Sequence, residues 1–301
     1  MPQPYHIPAL LTQAVDALNI RDGGTYVDAT FGGGGHSRAI IENVGPSGHL
    51  LGFDQDAQAA DNRIDDPRFT FVYGNFSFLT NYLGYYGFEK VDGILADIGV
   101  SFHHFDASER GFSFRDEGPL DMRMNTESSL TAAALLQEMA QEQLEHVLKV
   151  YGEVDNARKI ARALVERRTT RPLATTTELY DFLRPLVDPR REKKEIAKVF
   201  QALRIAVNRE LEALEALLTQ AVTALKPGGR LVIISYHSLE DRMVKNFMKT
   251  GNIEGKATAD IYGRIEAPFK LLTSKPVVPD TEEVERNPRS RSAKMRVAVK
   301  L

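Results

Sequence analysis

Short apolar segments alternate with turn or helix-compatible segments over the first hundred residues. Four of these apolar segments are rich in β-branched or aromatic residues, a composition typical of strands. They cover residues 25–30, 49–54, 69–73 and 91–97. Strands that are separated by helical segments are typical of a parallel sheet with helices on both faces. The first hundred residues therefore predict an α/β domain.

From about residue 130 the pattern changes to the periodicity of amphipathic helices. Helices are predicted at residues 130–139, 142–151, 157–167, 178–186, 191–208 and 210–225. Thr175, Thr176 and Thr177 are plausible N-caps, and Gly152 is a plausible helix end. A buried strand follows at 231–235 after a Pro-Gly-Gly turn, then a helix at 239–248, and 293–299 could form a last strand. We expect a discontinuous α/β domain at 1–125 and 215–301, with a helical insert at 126–214.

The composition excludes several kinds of chemistry. The chain has 301 residues, of which 43% are hydrophobic and 26% charged, as in an ordinary globular protein. It contains no cysteine, which excludes disulfides, thiolate metal sites and a cysteine nucleophile. No apolar stretch approaches the roughly 20 residues that span a bilayer. We expect a cytoplasmic protein with no membrane partner, and no metal site is predicted.

The charge is unevenly distributed. The formal net charge is −3, but residues 151–209 carry 14 Lys and Arg against 8 Asp and Glu. This local excess favours an anionic partner such as RNA. A solvated helical surface explains the same excess equally well.

A glycine-rich turn is the main chemical signal. The predicted strand at 25–30 leads into four consecutive glycines at 32–35 and then into a helix-like segment, and Asp54 ends the second strand 22 residues after Gly32. This spacing suits a loop that approaches a nucleoside cofactor and an acid that binds its ribose. A tight loop without a ligand and a dinucleotide fingerprint are the alternatives. Asp28, just before the glycines, would attract a cationic amino group and repel pyrophosphate, which favours S-adenosylmethionine.

Longer motifs match a known family over nearly the whole chain. They are His6-Ile7-Pro8-Ala9-Leu10-Leu11, Asp28-Ala29-Thr30-Phe31-Gly32 through Gly35-His36-Ser37, Glu109-Arg110-Gly111-Phe112-Ser113-Phe114-Arg115, Gly118-Pro119-Leu120-Asp121-Met122-Arg123-Met124, Phe200-Gln201-Ala202-Leu203-Arg204-Ile205, Tyr236-His237-Ser238-Leu239-Glu240-Asp241-Arg242 and Asn287-Pro288-Arg289-Ser290-Arg291-Ser292. With these motifs the chain resembles the bacterial 16S rRNA cytosine-N4 methyltransferase family (RsmH or MraW).

The resemblance implies a class I, Rossmann-like methyltransferase fold with an inserted helical domain for substrate recognition. It also implies methyl transfer from S-adenosylmethionine to N4 of a cytidine in the decoding centre of the small ribosomal subunit. The implied cofactor contacts are Gly34, Gly35 and His36 at the methionine end, Asp54 at the ribose, Phe76 at the adenine, Asp97 beside the cofactor, and His104 where the family usually has glutamine.

Two side chains are candidates for accepting a proton from N4. Asp97 is the first, because it ends a central strand where open α/β sheets bind ligands. His237 follows the strand at 231–235 on the same edge and is the second. Asp97 could instead bind only the cofactor, and His237 could instead cap the helix at 239–248.

Phosphate contacts are expected from basic side chains of the insert and of a C-terminal loop. They are Arg158, Lys159, Arg162, Arg167, Arg168, Arg190, Arg191, Lys193, Lys194, Arg286, Arg289 and Arg291. A homodimer is among the expected states. The rival functions are a nicotinamide-dependent oxidoreductase and a non-catalytic, cofactor-sensing factor that binds RNA during ribosome assembly.

Overall fold

The computed structural model describes residues 8–100, 105, 107–257 and 267–301. The chain divides into two compact units. The sheet unit consists of Met1–Gly99 and Leu211–Leu301, and the helical unit of Val100–Glu210. The helical unit therefore begins 26 residues before the predicted insert, which was placed at 126–214.

The sheet unit is built on seven strands. They are β1 Thr25–Asp28, β2 His49–Asp54, β3 Phe69–Tyr73, β4 Val91–Asp97, β5 Leu225–Ser235, β6 Phe269–Leu271 and β7 Lys294–Lys300. Their order in the sheet is β3-β2-β1-β4-β5-β7-β6. The first five strands are parallel to one another, and β7 is antiparallel to β5 and β6. This sheet confirms the predicted fold class.

Eleven α-helices have both of their ends within the described residues. They are α1 Leu11–Leu18, α2 Gly35–Ile41, α3 Leu79–Tyr85, α4 Ala132–Glu138, α5 Gln141–Tyr151, α6 Ala157–Thr170, α7 Thr176–Leu183, α8 Glu192–Asn208, α9 Glu210–Ala224, α10 Ser238–Thr250 and α11 Thr281–Arg286. In the part of the chain that is described, none of them combines the length and the apolar character that crossing a membrane requires.

Alternate residues of the central strands fill two apolar layers, one on each face of the sheet. Tyr26, Leu50 and Leu95 share one buried cluster with residues of α1 and α2. Leu51 and Ile94, their neighbours along the strands, share the other with residues of α3, α9 and α10. Both faces are thus covered, as the near-continuous apolar character of these strands predicts for a parallel sheet.

The helical unit has an apolar core of its own. Ile160 and Leu203 are fully buried in it, on α6 and α8. Phe112, Leu120 and Met122 belong to the same cluster although they precede α4. These residues lie in irregular backbone, so the helical periodicity that set the predicted boundary did not include them.

The motif around Met122 is held by buried polar groups of the helical unit. Met122 has a positive φ of 62°, which is uncommon for a non-glycine residue. The buried Arg110 guanidinium donates to the carbonyls of Arg123 and Met124 at 3.0 and 2.9 Å. The Asn208 amide donates to the Met122 carbonyl and accepts from the Met124 N–H, both at 2.7 Å. These contacts give the motif a structural role, because they satisfy backbone groups that the turn leaves unpaired.

Of the three candidate N-caps, the structure selects Thr175, and Gly152 is confirmed as a helix end. The Thr175 hydroxyl accepts from the N–H of Glu178 at 3.2 Å, and the Glu178 carboxylate accepts in return from the Thr175 N–H at 3.4 Å, which forms a capping box. Gly152 is the C-cap residue of α5.

Candidate active site

Three neighbouring strands each end in an aspartate. Asp28, Asp54 and Asp97 are the last residues of β1, β2 and β4. The three strands are parallel and adjacent, so their carboxyl ends meet at one edge of the sheet. Open α/β sheets bind ligands outside this edge. The structure therefore places Asp54 and Asp97 at the same edge of the sheet.

The glycine loop joins β1 to α2 and is tied to Asp54. The Gly32 N–H donates to Oδ2 of Asp54 at 2.8 Å. Gly32 and Gly34 have φ values of +51° and +73°, which favour glycine. A Cβ built on Gly32 would have no atom within 4 Å, so the backbone borders open space there. On its other side the loop is held by Arg38, which donates to the Gly33 carbonyl at 2.6 Å.

The predicted methionine-end residues are consecutive at the start of α2. Gly34 is its N-cap, and Gly35 and His36 begin the helix. Side chains at these glycines would collide with Phe31 at 2.9 Å from Gly34 and with Pro8 at 2.8 Å from Gly35. Close packing therefore demands glycine here in addition to any ligand, and the contact of these residues with the cofactor stays a prediction.

Asp54 and Phe76 lie at the ends of adjacent strands. The Asp54 carboxylate accepts from the Asp56 N–H at 2.8 Å in addition to Gly32. Beside it, the Asn75 amide donates to Oε1 of Gln55 at 2.7 Å, which links the segments that follow β2 and β3. Phe76 comes next and is partly buried. The predicted ribose and adenine residues thus belong to adjoining segments of one edge.

Asp28 corrects one sequence-based interpretation. Its side chain is fully buried and accepts from the Ser37 hydroxyl at 2.6 Å and from the Thr30 N–H at 3.1 Å. The carboxylate therefore braces the glycine loop against α2 and does not face a ligand. Burial raises its pKa from 3.8 to about 6, against the opposing effect of the Ser37 and Thr30 hydrogen bonds.

We expect Asp28→Asn to stabilise the protein at pH 8 by about 2 kcal/mol, because burying the ionised carboxylate opposes folding and the amide can keep both partners. A raised folded pKa means that the native state gains stability below pH 3.8 and loses it as the pH rises through about 6. The variant lacks this loss, so the difference should vanish in acid.

Urea unfolding at pH 8 and at lower pH values down to 4 measures this effect. Asp66→Asn is the opposite control, because the Arg68 hydrogen bonds hold the Asp66 pKa at about 2 and its loss should destabilise at pH 8. An Asp28→Asn protein that is less stable than wild type at pH 8 would show that the charge is needed.

His36 and Asp97 place two hydrogen-bond acceptors opposite each other. The His36 Nε2 atom lies 3.2 Å from the Ala9 carbonyl oxygen, and since a carbonyl only accepts, Nε2 carries the hydrogen. Burial lowers the His36 pKa, which keeps the ring neutral at pH 7 and leaves Nδ1 as an acceptor. Nδ1 is 3.9 Å from Oδ2 of Asp97. This pair suits a ligand that brings N–H groups.

Asp97 combines partial exposure with a shifted pKa. Its side chain is 18% exposed, and its own N–H donates to the Thr30 hydroxyl at 2.7 Å. Burial raises the Asp97 pKa to about 6, and a hydrogen bond from the Tyr236 hydroxyl opposes this effect. A carboxylate that titrates just below neutral pH is ionised at pH 7 and basic enough to accept a proton.

Tyr236 is the site residue that the sequence did not single out. Its hydroxyl donates to Oδ1 of Asp97 at 2.8 Å. Tyr236 follows β5, and Asp97 pairs with Ile234 in the β4–β5 register. Its position directly after a parallel strand was the available signal, but the hydrogen bond joins residues 139 positions apart.

His237 has the contacts of a helix cap. It is the N-cap residue of α10, and its Nδ1 accepts from the Glu240 N–H at 3.4 Å. Its Nε2 lies 3.0 Å from Oε1 of the buried Glu240. The capping alternative therefore describes its position, and its participation in proton transfer stays a prediction. His104 lies outside the described residues, so its cofactor contact also stays a prediction.

Several of the predicted phosphate-binding residues have local partners. Arg168 donates to the Leu136 and Met139 carbonyls at 3.1 and 2.6 Å, so it caps the end of α4. Arg191 pairs with Glu195 at 3.6 Å. These contacts assign Arg168 a structural role that the charge count alone did not reveal.

Other basic side chains of the helical unit are exposed and have no ion pair with another described residue. They are Arg158, Lys159, Arg190, Lys193 and Lys194. In the sheet unit, Arg286, Arg289 and Arg291 are also exposed, around a turn in which the buried Ser290 hydroxyl donates to the Asn287 carbonyl at 2.8 Å.

The carboxyl edge fits a cationic nucleoside cofactor. Asp54 and Asp97 place negative charge on either side of the glycine loop, and Gly32 leaves open space beside its backbone. Pyrophosphate would be repelled by these carboxylates, whereas an ammonium or sulfonium group would be attracted. Arg38 of α2 donates to the Gly33 and Asn62 carbonyls and so does not face this space. The donor set therefore suits S-adenosylmethionine better than a dinucleotide.

Comparison with known proteins gives near full-length matches. The model of the MraW methylase family matches residues 3–301. A protein named ribosomal RNA small subunit methyltransferase H from Bacteroides thetaiotaomicron is 57% identical over 296 residues, which are 98% of this chain and 97% of that protein. A protein of the same name from Porphyromonas gingivalis is 50% identical over 302 residues, covering 99% and 97% of the two chains.

Solved structures are more distant. A putative rRNA methylase from Clostridium thermocellum aligns with 98% of this chain and 100% of its own at 14% identity, with a TM-score of 0.46.

Proposed function

The chain belongs to the MraW methylase family, and we propose that it transfers a methyl group from S-adenosylmethionine to N4 of a cytidine in the decoding centre of 16S ribosomal RNA. The names of its relatives support the ribosomal RNA of the small subunit as the substrate. The resemblance of its motifs to the cytosine-N4 family supports the cytidine and the decoding centre. The observation that carries the chemistry is the Asp97 carboxylate at the carboxyl edge.

Direct transfer to nitrogen agrees with the composition. Methylation of C5 of a pyrimidine usually proceeds through a covalent adduct of a cysteine thiolate at C6, and this chain has no cysteine. An exocyclic amine needs no such adduct, but its lone pair is delocalised into the ring. An acceptor for an N4 proton favours the pyramidal, nucleophilic form of the amine.

Bound S-adenosylmethionine supplies an electrophilic methyl group: the bond from N4 to this carbon forms as its bond to sulfur breaks, and the electron pair of the broken bond stays on sulfur. Asp97 accepts the proton that N4 loses, through Oδ2, and releases it to solvent. His36 Nδ1 lies beside that oxygen and can accept a second N–H, which orients the amine. Asp54 holds the ribose hydroxyls of the cofactor, and Phe76 packs at its adenine side.

The exposed lysines of α8 are proposed to bind RNA phosphates. We expect the Lys193→Gln/Lys194→Gln double variant to bind small-subunit RNA more weakly. The slope of log K against log salt should become less steep by about 1.5, because binding with two fewer phosphate contacts releases fewer counterions. Lys198→Gln is the matched control on the same helix, since Lys198 pairs with the buried Glu195 at 3.2 Å. Filter binding over a salt series gives the slope. An unchanged slope in the double variant would remove these lysines from the interface.

Transfer of labelled methyl from S-adenosylmethionine to isolated ribosomal subunits tests the proposed function. We expect label in small subunits that lack the modification and none in large subunits. Absence of label from both, with cofactor binding intact, would favour the non-catalytic assembly factor. The expected homodimer stays a prediction.

A further inference from the structure

Tyr236 is fixed between two carboxylates of the sheet unit. Its hydroxyl donates to Oδ1 of Asp97 at 2.8 Å, while its backbone N–H donates to Oε2 of Glu240 at 3.0 Å. Glu240 is buried, and its Oε2 atom also accepts from the backbone N–H of His237 at 3.3 Å. The backbone anchor therefore holds the ring at a fixed distance from Asp97.

The ring of Tyr236 also packs closely against the segment that follows β4. It adjoins the apolar layer that contains Leu95 and Ile234. A Cβ built on Gly99 would lie 3.3 Å from this ring, so a side chain at that position would crowd the ring. Burial and the neighbouring Asp97, Glu240 and Glu283 raise the Tyr236 pKa well above 10. The hydroxyl therefore keeps its proton and acts as a donor.

We propose that Tyr236 is a positioning residue for methyl transfer: its hydroxyl occupies Oδ1 of Asp97 and leaves Oδ2, the oxygen beside His36, to accept the N4 proton. The proposal rests on the proposed function and extends it to a residue that does not itself meet the substrate. Oδ1 of Asp97 then orients the carboxylate, and Oδ2 accepts the proton.

The hydrogen bond also favours the ionised form of Asp97. Asp97 is faced by His36 from α2, Asp28 from β1, Tyr236 from the end of β5 and Glu240 from α10. Burial, Asp28 and Glu240 raise its pKa, and the Tyr236 hydroxyl lowers it. Removal of the hydroxyl makes the Asp97 carboxyl harder to ionise. A larger fraction of the enzyme then carries a protonated Asp97 at any pH near neutral.

The test compares Tyr236→Phe with wild type in single-turnover methyl transfer to unmodified small subunits between pH 5 and pH 9. For wild type we expect the rate to rise through a midpoint near the Asp97 pKa of about 6. For the variant we expect the midpoint to move up by about one pH unit and the plateau rate to fall about tenfold. Affinity for S-adenosylmethionine, by calorimetry, should stay within about threefold.

Tyr180→Phe is the matched control, because the Tyr180 hydroxyl also donates to a carboxylate, that of Glu192 in the helical unit. It should leave the midpoint in place. A Tyr236→Phe midpoint that is unchanged or lower, with the rate reduced equally at every pH, would overturn the proposal in favour of a packing role.

Carbon-13 NMR of the aspartate carboxyls separates this proposal from the proposed function. The Asp97 resonance, assigned by its loss in Asp97→Asn, should titrate near pH 6 in wild type and higher in Tyr236→Phe. This readout needs no substrate. If wild type transfers no methyl group but the shift is found, the hydrogen bond controls Asp97 and the function is wrong; if no shift is found, the positioning role fails even where methyl transfer is observed.

Discussion

Replacing Asp97 by asparagine is expected to lower the single-turnover rate of methyl transfer by roughly 10²- to 10⁴-fold, the usual contribution of a positioned general base. Asparagine keeps the size of the side chain and an oxygen that can accept the Tyr236 hydrogen bond. It cannot take up a proton at neutral pH. The negative charge of Asp97 also attracts the cofactor, so affinity for S-adenosylmethionine should fall as well, but by much less than the rate.

Asp92→Asn is a matched control for this variant. Asp92 lies near the opposite end of the same strand, where its carboxylate accepts from the Thr25 N–H and from Lys226 at 2.9 and 2.7 Å. We expect Asp92→Asn to keep a near wild-type rate. Cofactor affinity that falls in Asp97→Asn while the saturated rate is retained would mean that Asp97 binds the cofactor ammonium and is not the proton acceptor.

Replacing Asp54 by alanine is expected to weaken binding of S-adenosylmethionine by roughly 10- to 100-fold, the equivalent of losing charge-assisted hydrogen bonds. Two effects act together. The ribose hydroxyls lose their proposed acceptor, and the Gly32 and Asp56 N–H groups lose the carboxylate that accepts from both at 2.8 Å. The glycine loop is then less well held for the cofactor.

Calorimetric titration with S-adenosylmethionine measures this loss directly. Asp66→Ala serves as the control, because the Asp66 carboxylate pairs with Arg68 at 2.7 Å, just before β3 begins. Its cofactor affinity should match wild type. Unchanged affinity in Asp54→Ala would refute the ribose assignment.

Much of the sheet could be predicted because its strands are apolar, buried and bounded by turns. The bounds of β2, β3 and β4 agree with the predicted segments. The predicted β1 was two residues too long, because beyond Asp28 the chain turns into the glycine loop. Helix α1, strand β6 and helix α11 were not predicted, since none exceeds eight residues and short elements carry little periodic signal.

The candidate site was predictable where it depends on strand ends and not where it depends on burial. Asp54 and Asp97 could be placed from local sequence because each follows an apolar run. The burial of Asp28 depends on how α2 packs, and the bond between Tyr236 and Asp97 depends on which strands become neighbours. Tertiary structure alone decides both, so the sequence assigned Asp28 to a ligand and gave Tyr236 no role.

The boundary between the two units also could not be predicted from the sequence. Phe112, Leu120 and Met122 are apolar but follow neither helical nor strand periodicity, so they were assigned to the α/β domain. They pack instead into the core of the helical unit, in a turn held by Arg110 and Asn208. Polar groups that satisfy irregular backbone are visible only once the chain has folded.

Nucleoside mass spectrometry of 16S ribosomal RNA tests the central claim most directly, after methyl transfer from isotopically labelled S-adenosylmethionine to small subunits that lack the modification. The proposed function predicts one labelled nucleoside, N4-methylated cytidine, located in the decoding centre and lost in Asp97→Asn. Label on carbon 5 of cytosine, on a ribose hydroxyl or on another base would contradict the assignment of Asp97 as the acceptor of an N4 proton.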